Sequence, residues 1–222
     1  MADRKTPAQR EPLTKDRILR AALRIVDQEG LDAISMRRVG QELGVEAMSL
    51  YNHVASKAAV LDGIFELVLA EMPSARRAPS WKAALRDRAR SLRRSLRAHP
   101  HALPLFATRP AVTPASIAHV ESLLDELRRA DFPADEALSA LHVLVAYVVG
   151  HTLSTHAPRP PGDESYPAYD RLSESEFPRV REAARLLSAH DPEKEFELGL
   201  EAMIEGLGSI PGRQKARGRT KR

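Results

Sequence analysis

Apolar residues along this chain recur at three- and four-residue steps, the spacing that lines one face of a helix, and alternating strand-like runs between turns are missing. The pattern predicts an all-α fold. Thr14 is placed to cap a first helix with Asp16 in its first turn, Ile18, Ala22, Ile25 and Val26 form its apolar face, and Gly30 ends it. Ser35 caps a short second helix from Met36 to Leu43, Gly44 supplies a tight break, and a third short helix is expected from Glu46 to His53. Ser56 caps a fourth, carrying Val60, Leu61, Ile64, Leu67 and Val68 to Met72. Pro73 to Pro79 interrupts the pattern as inter-domain segments do. The expected division is a head over residues 1–72, with 1–12 as a flexible arm, and a body over residues 73–211.

In the body, a fifth helix over Ser80 to Ala98 sets Leu85, Ala89, Leu92 and Leu96 on one face and many arginines on the other. A short sixth helix over Pro100 to Phe106, a seventh over Pro114 to Ala130 and a long apolar eighth over Asp135 to His156 follow. Ala157 to Glu176, rich in proline, serine and acidic residues, reads as a loop before two last helices, Phe177 to His190 and Pro192 to Ile210. The closing GRQKARGRTKR of residues 212–222 has no apolar face and reads as a disordered basic tail.

Composition narrows the chemistry. With no cysteine in 222 residues, disulfides, thiolate zinc sites and cysteine nucleophiles are excluded. No run approaches the ~20 uninterrupted apolar residues of a membrane span, and the N-terminus lacks a signal peptide's apolar core, so a cytoplasmic protein without a membrane partner is expected. The formal net charge of +4 is uneven: residues 1–72 net −1, 73–97 net +8, 98–212 net −9 and 213–222 net +6. Nucleic-acid binding therefore has to be argued from individual cations rather than from bulk charge. No nucleophile elbow, phosphate loop or metalloprotease spacing of histidines occurs, so no catalytic residues and no enzyme are expected.

Two short helices with a glycine between them suit a helix-turn-helix, although short helical hairpins are common in any α-protein. The run SMRRVGQELGVEAMSLYNHVASKAAVL resembles the N-terminal module of the tetracycline repressor (TetR) family at Ser35, Arg37, Val39, Leu43, Gly44, Val45, Leu50, Tyr51, His53, Val54, Lys57 and Leu61. The resemblance implies DNA contacts by Ser35, Arg37, Ala47, Met48, Ser49, Tyr51, Asn52, His53 and Lys57. Arg37 matches the position that sends an arginine to a base edge, and Ala47, Met48 and Ser49 the tip that reads bases, with Asn52 suited to an adenine. Tyr51 and Lys57 match phosphate contacts, Lys57 adding its charge to a helix N-terminus. A solvated arginine and a packed tyrosine are the plainer alternatives. Gly40 departs from the family's frequent alanine.

Four body stretches also resemble that family: Ser80–Trp81, ATRP at Ala107 to Pro110, the run from Phe132, and the run from Phe196. They imply a homodimer through helices eight and ten and a small-molecule inducer, hence a repressor released from a palindromic operator. Gly199, Ala202 and Gly206 on helix ten and Ala140, Val143, Tyr147 and Gly150 on helix eight suit either such close packing or the intrachain core. The magnesium ligands of tetracycline repressors fall on Leu105 or Phe106 and on Ser154, so no metal and no cofactor are expected. The expected pocket joins Leu92, Leu96, Leu105, Val120, Leu123, Leu138, Leu141 and Val145 with Thr108, Arg109 and His142 as polar handles. It suits a largely apolar ligand with a carboxylate, phenol or carbonyl. Plain core is the alternative for each aliphatic residue. A regulator with a vestigial pocket, constitutive or governed by a protein partner, is the other functional reading.

Overall fold

The computed structural model describes residues 12–73, 78–158, 169–186 and 189–209. The expected arm, much of the linker and of the acidic loop, and the basic tail lie outside these residues. Among those described, all regular structure is helical: α1 (Lys15–Glu29), α2 (Met36–Leu43), α3 (Ala47–Leu50), α4 (Lys57–Ala70), α5 (Trp81–Ala98), α6 (Leu103–Thr108), α7 (Pro114–Arg129), α8 (Ala134–His156), α9 (Pro178–Ala184) and α10 (Pro192–Gly208), with short 3₁₀ turns between some of them.

Side-chain caps start several of these helices. The oxygens of Thr14, Ser35, Ser56 and Ser80 each accept the backbone N–H three residues on, at 3.2, 3.1, 3.2 and 3.2 Å, satisfying donors that helix geometry leaves open. Three expected boundaries shift. The third helix is one turn shorter at its C-terminal end, because Tyr51 to His53 form turns rather than helix. Pro100 to Ala102 is a separate 3₁₀ turn that Pro100 opens, and α6 starts only at Leu103. The ninth helix covers only Pro178–Ala184.

The core is continuous from end to end. Ile18, Ile25, Val39, Leu50, Val60 and Ile64 close α1 to α4 with no measurable exposure, and Leu85, Leu96, Leu103 and Leu127 do the same among α5 to α8. Phe65 of α4 stacks on Phe106 of α6 with centroids 4.3 Å apart, and Arg109 pairs with Asp62 of α4 at 2.6 Å. Helix α4 is thus packed into both groups.

Gly40 is buried where the turn between α2 and α3 doubles back, and a Cβ there would stand 2.8 Å from the Val45 carbonyl oxygen and 3.2 Å from Ala47 N. Both neighbours are backbone, which yields poorly. Alanine has the better helix propensity by about 1 kcal/mol, yet Gly40→Ala is expected to destabilise, by about 1–3 kcal/mol, because overpacking dominates. A rise in the urea midpoint of Gly40→Ala would refute this.

Helix α5 faces α10 through a ladder of opposite charges. Lys82 pairs with Glu205, Arg86 with Glu201, Arg90 with Glu197, and Arg93 and Arg97 with Glu193. The arginine-rich face of the fifth helix is therefore largely committed to a neighbouring helix. Apart from Arg93, these side chains stay partly exposed, so each rung contributes little alone. The side chain of Arg93 is 5% exposed and lies over the ring of Phe196, 4.2 Å from its centroid.

Candidate functional site

The α2–α3 pair is held by apolar contacts on one side and exposes polar groups on the other. Val39 and Leu50 are fully buried, whereas Met48 is 75% and Tyr51 46% exposed. Arg37, Asn52, His53 and Lys57 are exposed as well, and Ala47 and Ser49 are half-buried. Two consecutive arginines have opposite fates. Arg38 forks onto Glu29 and reaches Glu42 at 3.1 Å, while Arg37 makes no ion pair among the described residues. Lys57 opens α4 and is equally unpaired, beside the Ser56 cap. Ser35 spends its hydroxyl oxygen on the cap of α2. The protomer thus presents uncommitted cations on both sides of a short helix whose tip is Met48, a disposition that can meet phosphates and base edges.

The residues of the expected pocket fall in different environments. Leu92, Leu96, Leu105 and Leu141 are packed in the core, and Val120 and Val145 are half-buried. Leu138 and His142 are exposed on the outer side of α8. Thr108 is exposed and donates its hydroxyl to the Pro104 carbonyl at 2.7 Å. Arg109 is no free handle, because its Nε and Nη2 both donate to Asp62, at 2.9 and 2.6 Å. A charge placed between two helices is stabilised best by an opposite charge, and α4 brings one.

An open groove of about 390 Å3 lies instead where α5, α7 and the end of α4 meet. Met72, Pro73, Ala84 and Leu123 give it an apolar lining, and Arg88, Ser91, Arg94, Asp87 and Glu126 its polar groups. Only Leu123 belongs to the expected set. Arg88 donates from Nη2 to the Ser122 hydroxyl at 3.2 Å, stands 3.4 Å from Nδ1 of His119, and makes no carboxylate contact within ion-pair distance among the described residues. Burial draws its pKa below the ordinary value, against the pull of Glu126, and burial together with the Arg88 charge lowers that of His119. Arg88 sits among arginines with no local sequence mark of its own.

The intended dimer residues separate by environment. Ala140 is buried within the protomer. Tyr147 stacks on Phe196 at 5.4 Å, donates to its carbonyl at 2.8 Å, and covers Gly199 so closely that a Cβ there would fall 2.2 Å from its hydroxyl. These three serve the intrachain core. Val143, Gly150, Ala202 and Gly206 are exposed, joined by Leu138, Leu153 and Leu198.

Residues 73–210, more than half of the chain, match the profile described as the tetracyclin repressor-like C-terminal domain, and residues 18–64 match that of bacterial regulatory proteins of the tetR family. The chain belongs to the TetR family of transcriptional regulators. DrrR1, a transcriptional repressor of Streptomyces coeruleorubidus, is 38% identical to this TetR-family chain over 140 residues, 62% of the chain and 52% of that protein. The class A tetracycline repressor of Escherichia coli is 30% identical over 199 residues, covering 88% of this chain and 90% of that one. Among solved structures, ActR of Streptomyces coelicolor in complex with (S)-DNPA superposes with a TM-score of 0.76 at 34% identity, covering 89% of this chain and 98% of that one. ActR has also been crystallised with actinorhodin. The TetR-family fold, an all-α helix-turn-helix head with a helical body, is the fold observed.

Proposed function

We propose that this TetR-family regulator is a homodimeric repressor that reads a palindromic operator with α2 and α3 and leaves it when a small ligand enters the body. The commitment of Arg38 to two glutamates, with Arg37 and Lys57 left uncommitted on either side of α3, carries the DNA-reading part. Arg37 and the tip residues Ala47, Met48 and Ser49 take the base edges, with Asn52, while Tyr51, His53 and Lys57 take phosphates and Ser35 holds α2 in place.

The ligand enters beside Arg88 in the α5–α7 groove. A mostly apolar molecule bearing a carboxylate, phenolate or carbonyl complements a desolvated guanidinium among Met72, Ala84 and Leu123. ActR, crystallised with actinorhodin and with (S)-DNPA, supports a small-molecule ligand. Magnesium chelation is not part of this reading: Leu105 and Phe106 are buried and carry no oxygen donor, and the Ser154 hydroxyl is spent on the His151 carbonyl at 2.9 Å. The exposed apolar stripe of α8 and α10 is covered by a second copy. It also accounts for α8 being long and apolar enough to cross a membrane by length and composition alone.

Titration against an operator selected from a random-sequence pool tests the reading. Arg37→Ala is expected to lose about 1–3 kcal/mol on the operator and to relax preference at one position per half-site. Lys57→Ala is expected to weaken operator and scrambled duplexes alike. Equal losses on both duplexes for Arg37→Ala would reduce Arg37 to a phosphate contact.

A further inference from the structure

His99 sits at the corner where α5 ends, wedged between the two helices that carry the DNA-reading pair. Its side chain is 11% exposed. Its Nδ1 lies 2.9 and 3.0 Å from the two carboxylate oxygens of Asp27 on α1, and its Nε2 lies 2.9 Å from a carboxylate oxygen of Glu71 at the end of α4. A neutral imidazole owns one N–H and one lone pair, so it can donate to only one carboxylate and must turn the lone pair to the other. Imidazolium donates to both. The geometry therefore matches the protonated ring and penalises the neutral one.

The surroundings leave this arrangement intact. On α1, Arg20 is taken by Asp16 at 2.8 Å, and Arg24 stands 3.9 Å from Glu42. Beside His99 in its own loop, His101 directs Nδ1 at the Asp27 carbonyl, 2.9 Å away. Burial alone would lower the pKa of His99, but its hydrogen bonds to Asp27 and Glu71, with their charges, outweigh burial and leave it raised. A raised value in the folded protein means that the contact is complete below histidine's ordinary value of about 6.5 and is lost as pH climbs through the raised one.

We propose that His99 is a positioning residue, a proton-dependent strap that ties both α1 and α4 of the head to the α5–α6 corner and so sets operator affinity. The proposal rests on the operator-binding reading above. Two heads held at a fixed angle meet successive major grooves without a further ordering cost, whereas freed heads must be ordered on binding. Loss of the proton, or a ligand-driven shift of the corner, releases the same contact.

The test uses the full chain and a duplex that it selects from a random-sequence pool, from about pH 6 to about pH 9, a range that runs upward from just below histidine's ordinary value. Nitrogen-detected resonances of the His99 ring are expected to report two N–H groups at the acid end. Over the same range the thermal midpoint of wild type should lose its advantage over His99→Gln, and wild-type affinity for the duplex should fall about tenfold, as for the loss of one hydrogen bond to a charged group, while His99→Gln stays flat. A ring carrying one proton throughout, or wild-type and variant curves that run parallel, would overturn the strap. If no duplex is selected, the operator reading has failed, and the ring signals and thermal midpoints still judge the strap.

Discussion

Replacing Phe196 with alanine is expected to cost about 3–5 kcal/mol, the range for deleting a large buried aromatic ring. The ring is 1% exposed and has three neighbours beyond its hydrophobic area. Tyr147 stacks on it at 5.4 Å, His151 meets it edge-on at 5.4 Å, and the guanidinium of Arg93 lies 4.2 Å above it. Arg93 makes the loss worse. Its Nε is buried with no hydrogen-bond partner among the described residues, so without the ring a desolvated cation is left with Glu193 and a long contact to the Pro192 carbonyl. Urea unfolding of Phe196→Ala and Phe196→Leu decides between area and ring face. If leucine restores wild-type stability, the π contacts contribute nothing.

The double substitution Val143→Glu and Ala202→Glu is expected to give folded, helical monomers. Both positions are exposed in the protomer, so the carboxylates remain solvated there and are desolvated only when a second copy covers them. Losing the second head removes an effective-concentration gain of about 10²–10⁴, and operator affinity is expected to fall by about that factor. Sedimentation and duplex titration of one preparation are the measurements. A variant that remains dimeric would place the interface elsewhere on the body.

The sequence disclosed whatever local chemistry encodes. Serine or threonine three residues ahead of an orphan N–H marks a helix start, and Thr14, Ser35 and Ser56 were legible for that reason, whereas Ser80, read as the first residue of its helix, is the cap. Gly44, at φ +66°, supplies the left-handed residue that ends α2, and the two short helices around it followed. The α5–α7 groove was not legible, because a leucine that lines a groove and a leucine that fills a core occupy the same helical positions. Long-range charge pairs were hidden likewise. Asp62 is 47 residues from Arg109 and Asp27 is 72 residues from His99, separations on which periodicity is silent. The α5–α10 ladder went unread as well, although it left a trace. Lys82, Arg86 and Arg90 recur at four-residue steps, as do Glu193, Glu197, Glu201 and Glu205, and opposite signs at one period invite pairing.

That shared period leaves the ladder with a translational ambiguity. If α10 slid by one turn, Glu205 would meet Arg86, Glu201 would meet Arg90 and Glu197 would meet Arg93, so most rungs would be kept and the charges would hardly object. Sterics break the tie. In the observed register Gly199 lies beneath the Tyr147 hydroxyl, where even a methyl group does not fit. A one-turn slip would bring Glu195 or Met203 to that place. Gly199 thus acts as an index mark on a sliding scale, while the charges hold the scale closed without choosing its reading.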